Sequence, residues 1–258
     1  MRKSVFVLIL VSVAAAGWAQ KKKKNEKQEP AKIEASSSST DQSKPDVTVP
    51  KDTLPKIDRL NQHYVYKYTL AMKWNDLDEA KDALYDLIIE NQGNDSIIYE
   101  LALYYFQYQK YPSAVLVTQE LLKRNPKNTA ALEIAAVGYE NLGVPDRSLQ
   151  YYESLYLIQN NPSVLYKMAF LQYRLKRYKE SSTSADILLA DHTVDTLKVN
   201  FESNGKSKEY PMKVALLNLK GLVAQDQGDK ASAKKFYDQV LALAPDFAPA
   251  KESIAQLK

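Results

Sequence analysis

From about Asn61 onward, apolar residues recur with a helical period. Ile98, Leu101, Ala102 and Tyr105 stand at i, i+3, i+4 and i+7, which places them on one face of an α-helix. Leu132, Ala135, Ala136 and Tyr139 keep that spacing 34 residues later, and Leu165, Met168 and Ala169 restate its beginning. Ala114, Val117, Leu121 and Leu122 mark a second run downstream of the first. Short polar stretches separate the runs: NDLDEA (75–80), QKYPSA (109–114), GVPDRS (143–148), KRYKES (176–181) and GDKASA (228–233). They follow one another at 34, 34 and 33 residues, then once more after a longer gap. Each ends on a small residue that opens an apolar run. Asn91, Pro126, Asn160 or Pro245 follows about twelve residues later. The predicted unit is therefore helix, turn, helix, short turn.

This pattern resembles the tetratricopeptide repeat family. That family has a small residue in the middle of the first helix, an aromatic three further on, a polar turn, a small residue early in the second helix and a proline near its end. In 95–128 these fall on Ala102, Tyr105, Tyr111, Ala114 and Pro126. In 129–161 they fall on Ala136, Tyr139, Gly143 and Ser148, with Asn160 where proline is expected. In 162–195 they fall on Ala169, Tyr178 and Ser181, and Gln172 replaces the aromatic. In 214–247 they fall on Gly221, Gly228, Ala233 and Pro245, with Ala224 for the aromatic. The unit 61–94 keeps Ala80 and the turn, but Tyr68 occupies the small position. The resemblance implies an all-α, right-handed superhelical solenoid of about five helix-turn-helix repeats. Ala250, Ile254 and Leu257 mark a capping helix at 248–258. Small pairs such as Ala102 and Ala114 let two helices cross closely. Each pair leaves an apolar face for the next to cover.

The spacing breaks between Asp195 and Met212. The stretch TLKVNFESNGKSKEYPM alternates about Asn204-Gly205, and Asn-Gly between alternating segments is a strong hairpin signal. A β-hairpin near 196–212 is expected, pairing Phe201 with Lys208, Val199 with Tyr210 and Leu197 with Met212 on a largely apolar face. Lys198, Asn200, Glu202, Ser207 and Glu209 face the other way. The insert is either a decorated inter-repeat loop or a lip that engages a partner.

The N-terminal end is different material. Arg2 and Lys3 precede the apolar run VFVLILVSVAAA and the small residues Gly17 and Ala19, the pattern of an export signal cleaved after Ala19. Twelve apolar residues rise only ~18 Å as a helix, short of a ~30 Å hydrocarbon core. Residues 20–55 are rich in Lys, Glu, Ser and Pro and bury too little apolar area to fold. The organisation expected is a signal peptide at 1–19, a disordered linker at 20–55 and a repeat domain at 56–258. The mature chain is expected outside the cytoplasm, periplasmic or secreted, with no transmembrane segment. Lys21 to Lys24 offer weak contact with a membrane or cell wall.

Reaction chemistry is thinly represented. The absence of cysteine removes disulfides, thiolate zinc sites and thiol nucleophiles. His63 and His192 fall in different units and assemble no triad. Asp191-His192-Thr193-Val194-Asp195 fits a polar turn better than a metal site. The seven glycines are expected in turns or in the leader. No enzymatic activity, cofactor or metal is expected. The net charge of +4 implies no nucleic acid partner.

The remaining signal is aromatic. Tyr99 and the stretch LALYYFQYQKY (101–111) concentrate rings in one unit of a chain with 18 tyrosines. The resemblance places Tyr105 and Tyr111 in the core and Tyr108 at the turn, and leaves Tyr104 open. It places Tyr99, Leu103, Phe106 and Gln107 on the concave face. The same register adds Glu133, Glu140 and Asn141, then Tyr166, Phe170, Tyr173 and Arg174. Such a face suits an extended or helical peptide of a protein partner within an envelope assembly. Carbohydrate or peptidoglycan stacking on exposed tyrosines is the alternative. The family's clamp for a C-terminal carboxylate needs Lys, Asn and Arg, whereas Val65, Thr69, Tyr99 and Leu103 occupy the corresponding early positions.

Overall fold

The computed structural model describes residues 56–203 and 206–257 of the 258-residue chain. The expected leader, the linker with Lys21 to Lys24, and the Asn204-Gly205 turn lie outside the described residues. Five antiparallel helix pairs follow one another: α1 (Lys56–Lys73) with α2 (Leu77–Glu90), α3 (Asp95–Gln107) with α4 (Tyr111–Arg124), α5 (Thr129–Asn141) with α6 (Pro145–Gln159), α7 (Pro162–Arg174) with α8 (Tyr178–Ala190), and α9 (Met212–Asp226) with α10 (Lys230–Leu243). A final helix, α11 (Ala248–Gln256), packs on α10 and α9. The second helix of each pair also packs on the first helix of the next.

The turn inside every pair has one construction. Asn75, Gln109, Gly143, Lys176 and Gly228 all have positive φ, at 57°, 57°, 72°, 60° and 84°. The next residue's N–H reaches five residues back in each turn: Asp76 to Ala71, Lys110 to Tyr105, Val144 to Tyr139, Arg177 to Gln172 and Asp229 to Ala224, at 2.8–3.0 Å. The left-handed residue itself donates three residues back, for example Gln109 to Phe106 at 3.0 Å. This is the Schellman arrangement, which satisfies the last carbonyls of a helix and reverses the chain. Side-chain caps open several helices. Asp76, Asn94, Asn128, Asn161 and Asp229 accept from the backbone N–H of Glu79, Ser96, Ala131, Ser163 and Ser232.

The helices of a pair cross where both carry small residues. Ala102 and Ala114 are fully buried, as are Ala136 with Ser148 and Ala169 with Ser181. The serine hydroxyls donate back to the carbonyls of Ala136 and Ala169, at 2.8 and 2.9 Å. Gly138 departs from the turn role expected of the glycines and lies inside α5. Gly221 holds the small mid-helix position that the repeat register gave it, and a Cβ there would stand 2.4 Å from the Tyr237 ring. Buried apolar residues fall into two large clusters. One joins α2, α3, α4 and part of α1 and reaches Ile134 of α5; the other runs from Leu132 and Ala136 to Ala250. Ile98, Leu121 and Ala131 form a small third cluster at the seam.

The insert is a short 3₁₀ turn (His192–Thr196) followed by β1 (Lys198–Ser203) and β2 (Lys206–Pro211). The pairing is antiparallel, with Val199 opposite Tyr210 and Phe201 opposite Lys208. Met212 N–H donates to the Leu197 carbonyl at 2.8 Å, which continues the expected register. Phe201 and Tyr210 meet Phe247 edge to face, with ring centres 4.9 and 5.0 Å away. Asp246 accepts from Lys208 and, at 3.2 Å, from the Tyr210 hydroxyl. The hairpin is thus fastened to the junction between α10 and α11.

Gln109→Gly and Lys176→Gly are each expected to raise stability by roughly 0.5–1 kcal/mol in urea titrations, because relief of a left-handed conformation exceeds the added freedom of the unfolded chain. Gly221→Ala is expected to cost ~1–3 kcal/mol by overpacking Tyr237. The Lys208 ammonium also holds the Asp246 carboxyl below the usual range. A depressed carboxyl contributes stability above its unfolded pKa, lost as pH falls through the folded value. Hairpin amide protection is therefore expected to hold at neutral pH and to decline below about pH 4. Asp246→Asn should remove that step.

Candidate partner-binding groove

First helices of successive pairs touch directly, α3 with α5 and α7 with α9. That sets them on the closely spaced, inner side of the stack. Tyr99 is half-buried on α3. Its hydroxyl is pushed up by this burial and then by the carboxylates of Glu100 and Glu133. Leu103 is half-buried and Gln107 exposed one and two turns on. Phe106 is half-buried and meets Tyr111 edge to face at 5.8 Å. On α5, Glu133 and Asn141 are exposed, and Glu140 accepts from the Tyr152 hydroxyl at 3.4 Å. Burial, then Glu140, pushes that hydroxyl up. The Asn141 amide donates to the Val137 carbonyl at 2.8 Å.

Farther along, α7 presents Phe170 and Tyr173, both half-buried, and Arg174, which is exposed. The Tyr173 hydroxyl is pushed up by burial and then by Asp226 of α9. Tyr166 departs from its expected place on the surface. Its side chain is 3% exposed, its ring packs 4.8 Å from Phe170, and its hydroxyl has no hydrogen-bond partner among the described residues. It fills the core between neighbouring pairs and offers no surface.

The rest of the aromatic stretch is structural. Tyr104 is buried and donates to the Leu77 carbonyl at 2.6 Å, tying the first pair to the second. Tyr105 is buried and shares a 2.9 Å hydrogen bond with the Tyr85 hydroxyl; burial and this bond push it up to about 12. Tyr108 packs on Tyr104, and Tyr111, expected in the core, is half-buried and meets Phe106 edge to face. His63 and His192 are exposed, and no three His, Asp or Glu side chains gather as a metal site among the described residues.

Three inner-face features escaped the sequence reading. Glu100 is exposed on α3, and its carboxylate, after burial, pushes up the hydroxyls of Tyr68 and Tyr99. Asn218 of α9, at the position matching Tyr99, is buried with its carbonyl oxygen unpartnered among the described residues. Asp226 accepts from the Tyr178 hydroxyl at 3.3 Å. The repeat register, carried one unit further, points to Asn218 and Asp226.

No protein-family model matches the sequence, and no curated protein matches it. Solved structures do match. A tetratricopeptide repeat protein from Parabacteroides merdae is 17% identical, with a TM-score of 0.57 over 77% of this chain and 72% of that one. YrrB, described as a tetratricopeptide repeat protein with an unusual peptide-binding site, is 12% identical, with a TM-score of 0.58 over 77% of this chain and 97% of that one. MamA is 12% identical, with a TM-score of 0.55 over 77% and 96%. The fold is a tetratricopeptide repeat solenoid. Its repeat frame accounts for the recurring left-handed turns and small-residue crossings. It also sets Tyr166 apart, because that ring occupies the inner register and yet is buried.

Tyr166→Phe should therefore leave stability unchanged or raise it by up to ~1 kcal/mol, since the hydroxyl it removes has no partner. Tyr166→Ala should cost ~3–5 kcal/mol. Thermal unfolding of both variants distinguishes core from surface.

Proposed function

We propose that this chain is an exported, non-enzymatic scaffold that holds an extended or helical segment of a partner protein against the inner faces of α3, α5 and α7. The observation that carries this reading is the run of half-buried Tyr99, Leu103, Phe106, Phe170 and Tyr173, rimmed by exposed Gln107, Glu133, Asn141 and Arg174. Aromatic anchors with a polar rim are the composition of a protein-binding surface. The peptide-binding site described for YrrB supports the same reading by analogy of fold. The leader-like residues 1–19 support export to the periplasm or beyond, and no described helix is long and apolar enough to cross a membrane.

Stacking on sugars has less support. A sugar platform needs isolated flat rings, whereas Phe106 stands edge-on to Tyr111 and Phe170 leans on Tyr166.

The test is selection of displayed random peptides on the intact chain, with affinities measured by calorimetry. Tyr99→Ala/Phe106→Ala, with unchanged circular dichroism, is expected to weaken selected peptides roughly 30-fold or more, about 2 kcal/mol. Equal binding by both proteins would make these aromatics structural and remove the groove.

A further inference from the structure

We propose that residues 21–27, KKKKNEK, dock in cis on the inner faces of α3 and α5, against Glu100, Glu133 and Glu140. This rests on reading those faces as a docking surface and identifies what occupies them when no partner is bound.

The argument begins with charges that lack partners. Helices α3 and α5 contain no Lys or Arg. Of their four carboxylates, Asp95 is held by Arg124 at 3.5 Å. Glu100 and Glu133 make no ion pair among the described residues, and Glu140 receives only the Tyr152 hydroxyl. Many carboxylates elsewhere have cations. Asp78 pairs with Lys81 at 2.8 Å, and Glu79, Asp82 and Asp86 surround Lys67 at 3.0, 2.8 and 3.4 Å. Asp186 pairs with Lys220, Asp246 with Lys208, and Glu153 and Glu180 with Arg177. Four of the five carboxylates of the outer helix α2 thus reach Lys67 or Lys81, while Glu100, Glu133 and Glu140 reach no cation among the described residues.

The same face suits lysine in particular. Glu100 is the chain neighbour of Tyr99 on α3, and Glu133 lies on α5, which α3 touches. An ammonium there meets negative charge and an aromatic face together, worth ~0.5–1 kcal/mol for the ring alone. Its aliphatic stem covers apolar groups such as Leu103.

The chain supplies the matching segment. Lys21 to Lys24 and Lys27 put five cations in seven residues. Cleavage after Ala19 would place them next to a free α-amino group. The attachment point, Lys56, opens α1, whose pair adjoins α3. The span from Lys24 to Lys56 reaches at most ~110 Å. The length of α1 and two helix layers together amount to only ~45 Å. Tethering at such a distance supplies effective concentrations of up to about millimolar, so individually weak contacts suffice.

The experiment is zero-length carbodiimide coupling of the full mature chain at low salt, followed by peptide mass spectrometry of the monomer band. Mixed light and heavy isotope-labelled protein separates links within a chain from links between chains. Lys21 to Lys24 or Lys27 should couple within one chain to Glu100, Glu133 or Glu140. That yield should fall at least fivefold in 0.5 M salt and in Glu100→Gln/Glu133→Gln. Links scattered over surface carboxylates, links only between chains, or no inner-face link where the Lys67–Asp82 control link forms, would each overturn the proposal. Peptide selection reports on partner binding independently, so failure of either reading is seen separately.

Discussion

One left-handed residue per helix pair governs the architecture. At Asn75, Gln109, Gly143, Lys176 and Gly228 the chain reverses through the same two backbone hydrogen bonds. The reversal puts the small residues of both helices opposite each other, and close crossing follows from their lack of bulk. A solenoid repeats its geometry only if every turn delivers the next helix at the same angle. Glycine adopts this conformation freely, while glutamine and lysine do so at a cost that the packed pair offsets.

The insert after α8 shows how the regular stack is closed. Helix α9 is buried on more sides than the other first helices, because the 3₁₀ turn, both strands, α8, α10 and α11 all reach it. Two edge-to-face aromatic contacts with Phe247 and two hydrogen bonds to Asp246 join the hairpin to the last turn before the cap. The hairpin belongs to the C-terminal closure of the solenoid.

Much of this was legible in the sequence because helical periodicity and repeat spacing are dictated by backbone geometry. The hairpin register followed from Asn204-Gly205 and the alternation on either side of it. What was hidden depends on three-dimensional neighbours. Nothing about Gln109 or Lys176 alone announces positive φ; only their alignment with Gly143 and Gly228 does. Tyr166 and Phe170 share a register, yet contact between adjacent pairs buries the first and leaves the second partly open. Tyr104 was ambiguous because its role is a hydrogen bond to Leu77, 27 residues away. The pairing of α2 carboxylates by Lys67, while Glu100 and Glu133 have no ion pair among the described residues, is likewise a fact of packing.

The two large apolar clusters meet at α5, joined through Ile134 and by the three-residue cluster of Ile98, Leu121 and Ala131. Tyr99 and Glu133 stand on the two first helices that flank this seam. A stack of packed hairpins is an elastic spring, and α5 is where its two cores interlock. Because both α3 and α4 pack on α5 and Ile134 belongs to the core of the second pair, the second and third pairs move as one body, and this stretch of the inner face keeps a fixed width.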